Sequence, residues 1–106
     1  MMSDVMVGRV DEIPVGEGRT FAVGGEQIAV YRMRDGTLRA LGAVCPHRGG
    51  PLADGLTDDY SVVCPLHGRT YDLTSGDETT GSGPGVCTHS VRADGDGSIH
   101  LTRECG

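Results

Sequence analysis

The stretch RTFAVGGEQIAVYRMRDGTLRALG, Arg19 to Gly42, decides the fold class. Its runs Arg19 to Val23, Gln27 to Met33 and Thr37 to Gly42 follow the two-residue period of extended strands, not the period of a helix. Gly24-Gly25 and Asp35-Gly36 separate the runs. Two-residue turns need a positive φ that Gly and Asp tolerate, so the three runs read as two consecutive hairpins. Outward from this centre the same pattern predicts strands over Val5 to Val10, Ser61 to Cys64, Arg69 to Leu73, Val86 to Arg92 and Ser98 to Thr102, with DGDG at Asp94 to Gly97 as a further turn. No longer window carries an apolar period of 3.6, so no appreciable helix is expected. The expected architecture is a small, all-β, antiparallel domain occupying residues 1–106.

Composition narrows the function. A chain of 106 residues can bury only part of its surface, so a metal centre could contribute a real share of its stability. Aromatics are few (Phe21, Tyr31, Tyr60 and Tyr71, with no Trp), which leaves a core of Val, Leu, Ile and Ala, and 18 glycines point to many tight turns. The net charge is −6, every cation is Arg and no basic run occurs, so nucleic acid is not an expected partner. An acidic surface of this kind serves solubility and steering toward a basic patch on another protein. Neither a long apolar stretch nor a basic-then-apolar N-terminus is present, and a cytoplasmic protein without membrane attachment is expected. The four cysteines could form two disulfides, but in that reducing compartment paired Cys and His read first as metal ligands.

Two segments interrupt the strand pattern, Cys45 to Asp59 and Gly76 to Gly85, and long loops in so small a domain are commonly functional. The first carries CPHRGGPLADG, Cys45 to Gly55, and the next strand ends in CPLHG, Cys64 to Gly68. Written as spacing, the pattern is Cys45-x-His47, sixteen residues, then Cys64-x-x-His67. Each pair enters a turn rich in Pro and Gly, so two loop tips can meet, and inward-pointing amides of such loops suit a buried negative group. Two thiolates and two imidazoles are a mixed set suitable for zinc or for iron and sulfide.

CPHRGGPL and CPLHGRTYDL resemble the two halves of the Rieske iron-sulfur signature, C-x-H followed after a spacer by C-x-x-H. The resemblance includes the glycine of each loop, Pro51-Leu52 and the pair Tyr71-Asp72, and extends along most of the chain. It implies a Rieske-type β-sandwich or barrel with a small cluster-binding subdomain built from loops at about 43–56 and 64–72. It further implies one [2Fe-2S] cluster, with one iron held by Cys45 and Cys64 and the other by His47 and His67. Neutral imidazoles in place of two thiolates make electron addition easier, and Rieske potentials span about −150 to +300 mV against about −400 mV for plant-type ferredoxins. A tetrahedral zinc site needs the same ligand count, but common zinc spacings begin C-x(2–4)-C or end H-x(3–5)-H, unlike the alternation here.

Departures from the family pattern are informative. Members of respiratory and photosynthetic complexes resemble C-T-H-L-G-C and C-P-C-H-G-S, whose extra cysteines form a disulfide; those positions are Gly50 and Leu66 here. Their Ser, a donor to a bridging sulfide, is replaced by Arg69, whereas Tyr71 matches the family's Tyr, a donor to the thiolate that corresponds to Cys45. One donor kept and one lost implies a low to intermediate potential. Gly49 and Pro84 complete the expected surroundings, the latter in a proline loop that covers the cluster in many members.

Other residues receive plainer readings. Cys87-Thr88-His89 repeats the C-x-H spacing inside a strand pattern without a turn, so Cys87 and His89 are expected on one strand face rather than as ligands. His100 alternates with Ile99 and Leu101 as a solvent-facing strand residue, and Cys105 reads as a free thiol near the C-terminus. Arg48 reads as a solvated loop residue. Asp54, Asp58, Asp59, Asp77 and Glu78 flank the loops as an acidic face that is either solvated or used in docking.

The resulting expectation is a one-electron carrier that transforms no substrate itself, since no nucleophile–base pair or nucleotide loop accompanies the Cys/His set. CPHRGGPLADG, CPLHG and YDLTSG look most like Rieske-bearing small subunits of assimilatory nitrite reductase, which implies an NAD(P)H-dependent large subunit as partner. The ferredoxin components of aromatic-ring dioxygenases, which serve a reductase and a terminal oxygenase, are the alternative. A zinc-stabilised binding module is the rival from another class.

Overall fold

The computed structural model describes residues 4–43, 55–57, 60–64, 68–79 and 85–102. Nine strands follow one another: β1 (Asp4–Arg9), β2 (Gly18–Val23), β3 (Glu26–Arg32), β4 (Leu38–Gly42), β5 (Leu56–Thr57), β6 (Ser61–Val63), β7 (Thr70–Asp72), β8 (Thr88–Ala93) and β9 (Ser98–Thr102). A three-residue 3-10 turn, Val10–Glu12, is the only helical element among the described residues. The strands expected from the sequence are present with ends shifted by one or two residues. The two-residue β5 was not expected, and it lies within the segment read as a loop.

Six strands form one antiparallel sheet in the order β1-β9-β8-β4-β3-β2, and β5-β6-β7 form a second, also antiparallel. In the hairpin that joins β2 to β3, Gly24 and Gly25 have φ of 58° and 82°, the doubly left-handed turn that matches strand twist. The large sheet curls until its two end strands almost meet. A Cβ on Gly8 of β1 would lie 2.7 Å from Phe21 Cε1 of β2, so only glycine lets the strands approach this closely. A register shift between Met6 and Gly8 gives β1 the irregularity that such curvature uses.

Two cores lie on opposite sides of β3 and β4. Ile13, Val23, Ile28, Val30, Ala40, Ile99 and Leu101 fill the nearly closed barrel. Ala29, Tyr31, Met33, Leu41 and Ala43, from the other face, pack with Val62, Cys64, Tyr71 and Leu73 of the small sheet. Successive side chains of a strand point to opposite faces, so the unbroken burial of Ile28, Ala29, Val30 and Tyr31 means that β3 is covered on both. The small sheet is thus mounted on the outer wall of the barrel.

Candidate metal centre

Of the four expected ligands, Cys64 lies within the described residues, and Cys45, His47 and His67 lie outside them. Gly49 and Pro84 are also outside. Among the described residues no group of three or more His, Cys, Asp or Glu is placed to hold a metal ion.

Cys64 directly follows β6, with 1 % of its surface exposed, and it forms no disulfide. Its N–H donates to the Arg69 carbonyl at 2.7 Å, and its carbonyl accepts from the Gly68 N–H at 3.0 Å. Gly68 has φ of 71°, a left-handed conformation that turns the chain back toward β7. The chain therefore leaves at Cys64 and returns at Gly68 and Arg69 through a backbone-clamped mouth. Tyr71, opposite Val62 in the β6–β7 register, is completely buried in the core that contains Cys64. The other expected loop departs from the same core: Ala43 is buried there, its N–H donating to the Gln27 carbonyl at 3.0 Å. Next to it, the Gly42 N–H donates to the Cys87 carbonyl at 2.9 Å.

The surroundings are tied down from three sides. Thr57 Oγ1 donates to the Gly16 carbonyl at 2.7 Å, fastening β5 to the turn before β2. The Leu73 N–H donates to the Tyr60 carbonyl at 2.7 Å. After β7, the Asp72 carboxylate accepts the N–H groups of Thr74 and Ser75 at 2.7 and 2.9 Å. These backbone bonds, from Ser75 first and Thr74 second, hold its pKa below the ordinary 3.8. Gly76, with φ of 80°, closes that turn, and its carbonyl accepts the Val86 N–H at 2.8 Å. A Cβ on Gly76 would collide with the Val86 carbonyl oxygen, so the chain entering β8 lies flush against the turn.

Several readings change. Arg69 is half-buried and paired: its Nη1 lies 3.0 Å from Glu78 Oε1, and the Glu78 side chain has no exposed surface. Glu78 is accordingly not part of an acidic outer face. A bridge to Tyr71 and a bond from the Thr79 N–H to the Thr70 carbonyl make its segment a fourth strand-like edge beside β7, which turns Glu78 inward. Asp77 is exposed as expected, and Asp54, Asp58 and Asp59 lie outside the described residues. Cys87 precedes β8 instead of lying in it, and it is disulfide-bonded. This corrects the expectation that the cysteines serve as thiols or ligands alone: once off the ladder, the Cys87 side chain is not bound to a strand face. Cys105 lies outside the described residues. His89 is buried, opposite Ala40. His100 is only partly exposed, with Nε2 2.7 Å from Asp94 Oδ2.

A family model for the Rieske [2Fe-2S] domain matches residues 3–84. The chain belongs to the Rieske [2Fe-2S] domain family. The cofactor this implies is a Rieske-type [2Fe-2S] cluster, and the part of the site described here fits it: a buried cysteine outside any disulfide directly after a strand, in one core with a buried tyrosine, where the two expected ligand loops begin. Among curated Rieske relatives, the oxygenase component of dicamba O-demethylase from Stenotrophomonas maltophilia is 37% identical over 68 residues, 64% of this chain. The chain spans 17% of that protein's length. Among solved structures, the NADH-dependent nitrite reductase small subunit from Mycobacterium tuberculosis superposes with a TM-score of 0.90 at 22% identity, covering 100% of this chain and 99% of that one, a likeness of fold. The ferredoxin of carbazole 1,9a-dioxygenase from Nocardioides aromaticivorans superposes with a TM-score of 0.85 at 26% identity, covering 96% and 99%. No helix among the described residues is long and apolar enough to cross a membrane.

Proposed function

We propose that this Rieske domain is a one-electron carrier that feeds a multicomponent oxidoreductase and transforms no substrate itself. The observation that carries the proposal is Cys64, a cysteine outside any disulfide, buried in the one core from which both expected ligand loops depart. In this reading Cys45 and Cys64 hold one iron of the cluster and His47 and His67 the other. When bound, such a cluster would supply one-electron chemistry, while the protein excludes water around Cys64 and fixes the loop mouth through the Cys64–Arg69 and Gly68–Cys64 backbone bonds.

The partner is a protein with a reductase or terminal oxidoreductase centre. The loop sequences favour the nitrite-reductase setting, and the 26% identity with a dioxygenase ferredoxin, over nearly the full length of both chains, supports the alternative. Copurification with a sirohaem-containing large subunit or with an oxygenase separates the two. Electron paramagnetic resonance of the anaerobically purified, dithionite-reduced protein tests the carrier reading. A rhombic signal with an average g below the free-electron value is expected. Colourless, silent protein that keeps its fold would overturn the proposal in favour of zinc or an empty site.

A further inference from the structure

The Arg69–Glu78 pair is unusual for so small a domain. The Glu78 side chain is withdrawn from solvent completely while the Arg69 side chain keeps 32 % of its surface exposed. A buried carboxylate is costly unless it is compensated, and a nearly closed pair is strongly destabilised when one partner is removed. Retention of such a pair beside a ligand loop needs a reason, and its position supplies one. The Arg69 carbonyl is the acceptor for the Cys64 N–H, so the residue that Glu78 holds by its side chain is the residue that holds Cys64 by its backbone. Glu78 is itself fixed by the bridge to Tyr71, the buried neighbour of Cys64.

We propose that Glu78 is a positioning and charge-compensating residue of the Cys64 loop: through Arg69 it keeps the loop mouth closed, and it neutralises a cation that would otherwise stand bare beside the metal centre. The charge part of this inference rests on the carrier reading above. A bare cation near the centre favours the reduced form, because reduction adds one negative charge, so Glu78 holds the potential down.

Glu78→Gln is the informative variant. It keeps size and hydrogen-bonding capacity, and it leaves only a cation that solvent can reach. In loaded protein the ratio of reduced to oxidised centre at a fixed ambient potential should rise threefold or more, a tenfold rise corresponding to about 59 mV for one electron. Arg69→Gln/Glu78→Gln, which removes both charges, should return the ratio toward that of the unaltered protein. A ratio unchanged in Glu78→Gln, or one that stays raised in the double variant, would overturn the charge role. Positioning is read separately in metal-free protein by hydrogen exchange at the Cys64 amide, which should quicken at least tenfold in Glu78→Gln. Unchanged protection would overturn it. Failure of the unaltered protein to hold an iron-sulfur centre would refute the carrier reading and the charge role together, while the exchange measurement would still decide positioning.

Discussion

Gly25 and Gly76 share nearly the same left-handed backbone, φ of 82° and 80°, but differ in what surrounds them. A Cβ on Gly25 would meet nothing within 4 Å, whereas one on Gly76 would strike the Val86 carbonyl oxygen. Gly25→Ala should therefore cost only the backbone penalty of a side chain in that region, about 1 kcal/mol. Gly76→Ala carries the same penalty and must also part the two segments. That breaks the 2.8 Å bond from the Val86 N–H to the Gly76 carbonyl, worth about 1 kcal/mol, and leaves its polar groups poorly satisfied at a further cost of about 1 kcal/mol. The expected difference between the variants is about 2 kcal/mol, a factor of roughly 30 in the unfolding constant. Urea titrations of both variants, purified in parallel, measure it as a separation of about 1–2 M in midpoint for a slope near 1–2 kcal/mol per M. Equal midpoints would refute the claim that the approach to β8 rests on the turn after β7. Gly76→Ala should also lower iron content, whereas Gly25→Ala, whose added Cβ meets nothing within 4 Å, should not.

Three further outcomes are expected. Thr57→Val removes the hydroxyl that donates to Gly16 and should cost about 1 kcal/mol by denaturant titration, with the loss concentrated in faster hydrogen exchange of the small sheet relative to the barrel. The pKa values of Asp35, Asp72 and Asp96 are all held below 3.8, chiefly by N–H groups of Thr37, Ser75 and Ser98 respectively. The stability they contribute is complete above about pH 4 and is lost as pH falls through the lower folded values; a urea midpoint that stays flat from pH 5 to pH 2 would contradict this. His67→Ser should abolish the rhombic resonance signal while leaving the β-rich circular dichroism spectrum in place, and an unaltered signal would remove His67 from the ligand set.

How far the sequence could be read depended on whether a feature was local. The hairpins in Arg19 to Gly42 were legible because a two-residue period and a Gly-Gly turn act over a few neighbours. Leu56–Thr57 was not, since two residues carry no period and only pairing with Val62 and Val63 makes them a strand. The buried partnership of Arg69 with Glu78 is hidden for the same reason: nine residues of sequence separate them, and the acid sits in a run, GDETTGSGPG, whose composition signals solvent. The disulfide at Cys87 was missed because the inference from compartment outweighed any local signal, and spacing alone cannot assign a pairing. Of the Cys/His motif, Cys64 is buried directly after a strand, and the other three residues lie outside the described residues.

The burial pattern of β3 explains why that site can be built on so little protein. Ile28 and Val30 belong to the barrel, whereas Ala29 and Tyr31 belong to the core that contains Cys64. A slip of one residue in the pairing of β3 would exchange the two sets, driving Tyr31 into the barrel and withdrawing it from the site. The barrel residues thus set the register of the strand whose other face packs in the core that contains Cys64. Across β3–β4 the same register pairs Ile28 with Gly42, next to Ala43, where the first ligand loop departs. Ala43 and Cys64 then meet in one packed cluster, so the starts of both loops are referred to a single rigid wall. Because a redox centre works best when its ligands are held nearly still between charge states, the wall does by packing what a larger protein could do with additional layers.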